Sequence, residues 1–165
     1  MFDTIAGLPL HPLVVHATEV VVPTAALVIA LAALWPAFRR WAGFLPFGLG
    51  LAALVLVPIS TQSGEALQER VKDSALISTH ADLAEGLLPW IFVLFAVSGV
   101  LLWWNRAGGK GQAPRAPKWV AIVLSVTAVL AAAGTTGQAV LIGHSGATAV
   151  WSQAAVGTSA PGATK

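Results

Sequence analysis

Four uninterrupted apolar runs decide what this chain can fold into: Leu13–Trp35, Ala42–Ile59, Leu87–Trp104 and Trp119–Ile142. A helix that crosses the hydrocarbon of a bilayer needs about 20 such residues, and all four runs meet that length. In lipid the backbone satisfies itself only in helices or closed barrels. Barrel strands alternate apolar and polar residues, and these runs do not. The expected fold is all-α, an integral-membrane four-helix bundle in one domain over residues 1–151. A tail rich in Ala, Gly, Ser and Thr follows at 152–165 and is expected to be disordered. Pro23, Pro46, Pro58 and Pro89 kink or start helices, which membrane spans tolerate. The first run lacks a basic flank and is too long for the apolar core of a cleaved signal peptide, so it is read as a span.

Composition agrees. The chain has 165 residues, 56% hydrophobic and only 10% charged. Soluble domains carry about 25% charged residues. The absence of Cys excludes disulfides, thiolate zinc sites, iron–sulfur clusters and a thiolate nucleophile. The sole Met is Met1, which excludes thioether copper chemistry. A net charge of +2, with the bases scattered in short loops, gives no nucleic-acid-binding face.

The connections set the orientation. Pro36–Trp41 reads as a tight turn and 105–118 as a Gly/Pro-rich basic loop. Together they hold Arg39, Arg40, Arg106, Lys110, Arg115 and Lys118, against nine basic residues in all. The positive-inside rule places these loops in the cytoplasm and both termini outside, in a bacterial plasma membrane. Trp35, Trp41, Trp103, Trp104 and Trp119 form an aromatic belt at the inner edge. The longer 60–86 segment then lies outside. Within it, Glu65–Ser78 reads as an amphipathic helix with Leu67, Val71 and Ala75 on one face.

The remaining polar chemistry gathers at the outer ends. His11 and His16 open the first helix, His80 the third, and His144 closes the fourth. The second ends in Ser60-Thr61-Gln62-Ser63-Gly64-Glu65. A compact bundle brings these side chains together. His16 and Glu19 are three apart and share a helix face, with Glu19 inside the hydrocarbon, where ionisable groups are costly and lean towards function. Thr79-His80-Ala81-Asp82 has the form of a capping box, which explains Thr79 and Asp82 but not His80. Gly143-His144-Ser145-Gly146 reads as a helix C-terminus. A faint repeat runs through the chain: Ser63-Gly64 and Ser145-Gly146 end the second and fourth helices, and a basic loop joins each pair. Two related hairpins would bring their Ser-Gly ends together.

These motifs in order resemble one bacterial family. Gly7-Leu8-Pro9-Leu10-His11-Pro12-Leu13-Val14-Val15-His16, then Thr61-Gln62-Ser63-Gly64-Glu65, His80, and Gly143-His144-Ser145-Gly146 are similar to the four-helix membrane family catalogued as domain of unknown function 2231. The likeness runs from about Gly7 to Trp151. Family resemblance implies no activity. Some relatives are joined to Rieske or c-type cytochrome modules, which implies an electron-transfer setting. The resemblance carries over to His11, His16, Glu65, His80 and His144.

Three functions from different classes follow. The first is a redox-associated protein that binds b-type haem or a quinol near the outer surface. Its axial pair would be His16 and His80, with His144 able to replace either. His11 and Glu65 would meet propionates, quinol oxygens or protons. The second is a transition-metal site without haem, built on His16, His80 and His144 with Glu65 nearby. The third is a structural accessory subunit of a respiratory complex, in contact with lipid and redox partners. No nucleophile elbow is present, so a hydrolase is not expected. No polar path crosses the inner half of the bundle, which disfavours transport.

Overall fold

The computed structural model describes residues 4–5, 8–70, 74–108 and 117–157. Two short antiparallel strands, β1 (Thr4–Ile5) and β2 (Leu8–Pro9), precede six helices. These are α1 (Leu10–Leu34), α2 (Pro36–Ala42), α3 (Leu45–Gln68), α4 (Ala75–Glu85), α5 (Leu87–Gly108) and α6 (Lys118–Gly157). Four stretches are long and apolar enough to cross a membrane: α1, α3, α4 with α5, and α6. The helical bundle expected from the apolar runs is the one observed.

The spanning helices form a ring in the order α1, α3, α5, α6, with α6 packed back on α1. The short α4 continues the α5 position and lies mainly against α6. The core is thin and built of small residues. Val22, Ala25, Ala26, Ile29, Ala32 and Ala33 line one face of α1 at helical spacing. Ala53 and Val57 face them from α3, and Ala128 and Ala131 from α6. Only α5 supplies a bulkier stripe, through Ile91, Leu94, Val97 and Leu101. Lipid tails are as apolar as these side chains, so association rests on close van der Waals contact, which small residues permit. Ser125 on α6 adds a polar link, donating Oγ–H to the Ala33 carbonyl of α1 at 3.2 Å.

One end of the bundle is basic and aromatic. The Pro36–Trp41 segment is a short helix rather than a tight turn, because Pro36 occupies the first-turn position, where its missing N–H costs nothing. Gly43 ends α2 at φ +55, a left-handed conformation that favours Gly. The Arg39 guanidinium donates to the Ala32 carbonyl at 3.2 Å and lies 5.9 Å from the Trp104 ring. Arg106 lies 4.7 Å from the Phe44 ring. These cation–π contacts tie α2 and the start of α3 to the end of α5.

The helices at the other end run further than the apolar runs indicate. α3 passes through Ser60–Glu65 to Gln68, because Thr61 and Ser63 turn their hydroxyls onto the Val57 and Ser60 carbonyls of the same helix. α6 does not stop at Gly143 or Gly146. It continues to Gly157, so residues 152–157 of the expected disordered tail are helical, and 158–165 lie outside the described residues. Ser145, Thr148 and Ser152 likewise bond back to carbonyls of their own helix. The amphipathic helix expected over Glu65–Ser78 is instead split. Gln68 ends α3 and Ser74 caps α4 by accepting from the Ile77 N–H at 3.3 Å, while Val71 lies outside the described residues. The capping role assigned to Thr79 is therefore corrected: Thr79 sits inside α4 and donates to the Ala75 carbonyl.

α4 and α5 break at Gly86. Pro89 has no N–H to continue the ladder onto the Glu85 carbonyl. Gln138 of α6 donates Nε2–H to the Leu83 carbonyl at 2.6 Å, and a Cβ on Gly86 would lie 2.8 Å from that nitrogen. Only a residue without a side chain admits this bond.

Gly134 is a sharper case, since its Cβ would fall 2.5 Å from the Trp90 ring, whereas Gly137 has nothing within 4 Å. Gly134→Ala is expected to lower the thermal midpoint in detergent through overpacking worth about 1–3 kcal/mol. Gly137→Ala should raise the midpoint slightly by removing helical glycine entropy. Circular dichroism melts of the two variants check this.

Candidate functional site

The polar end of the bundle encloses a cavity of about 570 Å³. It draws its wall from α1, α3, α4 and α6, with Leu87 of α5. Its deepest lining residues, Val22, Val57 and Leu87, belong to the buried core. His11 and His80 face it from opposite sides of the helix ring.

Each of these imidazoles is held by the same device. His11 Nδ1 lies 3.1 Å from the Ser60 carbonyl oxygen and 3.2 Å from Ser63 Oγ. Ser63 Oγ in turn donates to the Ser60 carbonyl at 2.9 Å. His80 Nδ1 lies 3.1 Å from the Ile142 carbonyl oxygen and 3.0 Å from Ser145 Oγ, and Ser145 donates to the Ile142 carbonyl at 2.9 Å. A carbonyl oxygen can only accept, so Nδ1 carries the proton in both rings. The serine hydroxyl spends its own proton on the carbonyl and offers a lone pair to the same N–H. Nε2 is left as an acceptor or metal-ligating atom. A neighbouring glycine completes each clasp: a Cβ on Gly64 would lie 3.0 Å from His11 Cε1, and one on Gly146 3.1 Å from His80 Cε1.

The expected repeat is thus physical. Ser63-Gly64 and Ser145-Gly146 come to one end of the bundle, each clasping a histidine. Gly146 is not a helix cap but the floor on which an imidazole lies. The sequence reading missed the carbonyls of Ser60 and Ile142, which no side-chain motif reveals, and the bond from Gln138. The paired Ser-Gly was the available signal.

The other candidates are placed differently. His16 is exposed, lines the cavity, and donates Nδ1–H to the Pro12 carbonyl of its own helix. Glu19, Glu65 and Glu85 also line the cavity and are exposed. His144 does not line it. It follows Gly143 on α6, and one residue turns the helix face by about 100°; its side chain is exposed. The set His16, His80 and His144 is therefore not brought together around the cavity. Among the described residues, no group of three His, Asp or Glu side chains could hold a metal ion. Among the described lining residues there is also no Lys or Arg.

Histidine NMR checks the clasp. In ¹⁵N-histidine-labelled protein, His11 and His80 should both appear as Nδ1–H tautomers. Ser63→Ala and Ser145→Ala should keep that tautomer, because the carbonyl acceptor remains, while broadening the ring signals as one arm of the fork is lost.

A family model described as a predicted membrane protein, DUF2231, matches residues 7–160. No curated protein and no solved structure matches the chain.

Proposed function

We propose that the chain, which belongs to the DUF2231 family of predicted membrane proteins, is a redox-associated protein of the bacterial plasma membrane that binds the head group of a quinol. The observation that carries this reading is the pair of clasped imidazoles on one cavity. With Nδ1–H committed to a carbonyl, Nε2 is the acceptor of each ring in its neutral form. A quinol carries two hydroxyl donors at opposite ends of a flat ring, and His11 and His80 stand on opposite sides of the cavity. Its volume, about 570 Å³, suits an organic cofactor. The apolar floor at Val22, Val57 and Leu87 suits a ring and the start of a prenyl tail.

Charge favours a quinol over b-type haem. Two imidazoles with carbonyl-bonded Nδ1–H groups are a donor set that iron accepts as axial ligands. Haem, when bound, would supply one-electron transfer, and His11 and His80 would hold it rather than His16 and His80. Haem also carries two anionic propionates. The described wall offers them Glu19, Glu65 and Glu85 and no Lys or Arg. A neutral protic head group meets no such repulsion. The electron-transfer setting implied by the family resemblance suits either ligand.

The cavity end is assigned to the outside. Arg39, Arg40, Arg106 and Lys118 lie at the opposite end, together with the exposed Trp35, Trp41, Trp103 and Trp119.

Visible spectra and binding titrations test the proposal. Detergent-purified protein should show no Soret band, oxidised or reduced. It should bind a short-tailed quinol saturably, and His80→Ala should weaken that binding at least about tenfold, the worth of one lost buried hydrogen bond. A Soret band that disappears in His11→Ala or His80→Ala would overturn the quinol reading in favour of haem.

A further inference from the structure

The wall of the cavity is built twice. A fixed shift along the chain carries His11 to His80, Val15 to Ala84 and His16 to Glu85, all of them lining residues. A second fixed shift carries Val57 to Ala139, Gly64 to Gly146 and Glu65 to Ala147, again all lining. Every lining residue has such a counterpart except Glu19, Val22 and Ile77. α1 with α3, and α4 and α5 with α6, are therefore two copies of one hairpin around a pseudo-two-fold axis. The cavity is the space between two half-sites.

The copies have diverged chemically. Along α3 the cavity face carries Ser60, Thr61, Glu65 and Gln68, and their counterparts on α6 are Ile142, Gly143, Ala147 and Val150. Four polar positions on the first wall face four apolar ones on the second. Both clasps survive, but only the first has a carboxylate immediately after its glycine.

We propose that the two hydroxyls of a bound quinol are held unequally: the first half-site, where the α3 wall that clasps His11 carries Glu65, takes one hydroxyl with a carboxylate from that wall, and the second, where the α6 wall that clasps His80 carries Ala147 in that place, takes the other without one, the Glu85 carboxylate of α4 standing where α1 has His16. This rests on the quinol reading. Gly143, where an added Cβ would meet nothing within 4 Å, and Ala147 give the second wall room for the face of the ring. A carboxylate accepts a hydroxyl proton in a charge-assisted bond, the stronger kind. It cannot donate to a quinone oxygen when ionised. Glu65 therefore adds to the preference of the two Nε2 acceptors for the reduced, protic form of the head group.

The test compares a short-tailed quinol with its quinone on the full chain in detergent. Glu65→Gln should weaken quinol binding about tenfold or more and leave quinone binding unchanged or tighter, since the amide can donate. Because Glu65 and Ala147 each follow the glycine of a Ser-Gly clasp and both line the cavity, Ala147→Glu placed in a Glu65→Ala background should restore quinol binding to within a few-fold of the wild type. Ala147 is exposed at the cavity wall, so this substitution creates no buried charge. An unchanged quinol-to-quinone preference in Glu65→Gln, or no recovery in the double variant while its helix content stays intact, overturns the unequal half-sites and leaves quinol binding standing. Failure of the wild-type protein to bind either form overturns both.

Discussion

The histidine end of this protein is organised by a forked hydrogen bond made twice. An imidazole N–H reaches across to a neighbouring helix and is shared between a main-chain carbonyl and a serine hydroxyl that is itself bound to the same carbonyl. In the hydrocarbon a helix has already committed its own N–H and C=O groups, so a polar side chain can find partners only where carbonyls have a second lone pair. The clasp uses that spare capacity. It fixes the tautomer of the ring, joins α1 to α3 and α4 to α6, and sets the width of the cavity between them. The glycine beside each ring is a requirement of the same geometry, because a methyl group at Gly64 or Gly146 would press on the imidazole.

The rest of the bundle supports this with little force of its own. The core of α1, α3 and α6 is mostly alanine and valine, and the bulky stripe is confined to α5. At the basic end, Arg39 and Arg106 lie on aromatic rings and close the gaps between helix termini. Polar bonds at both ends thus set the register, while small residues in the middle allow the helices to approach.

The architecture was legible in the sequence because hydrocarbon thickness imposes a length on each apolar run, and four runs met it. The helix ends were not legible. Ser60–Glu65 and Gly143–Gly146 look like stops on a propensity scale, yet the helices pass through both. The hydroxyls fold back on carbonyls of their own helices, and the glycines serve close approach rather than termination. His11, His16 and His80 line one cavity, but sequence order does not tell which of them is held across to a neighbouring helix. His11, read as a secondary group beside His16, is one of the two clasped rings. His144 owes its place in the motif to its neighbours Ser145 and Gly146 and turns away from the cavity itself. Rotation about a helix separates such adjacent residues, and sequence order alone does not record which one faces inward.

α6 is 40 residues long, which at 1.5 Å per residue is about 60 Å, or twice the hydrocarbon thickness. Such a rod cannot be housed by the bilayer and must project from it. Because the base of the projecting part carries the Ile142 carbonyl and Ser145, a lateral load on its tip acts through a stiff lever on the ring of His80. The two clasps, alike in local geometry, are therefore unlike mechanically: one is set between helices of bilayer length, and the other at the root of a mast.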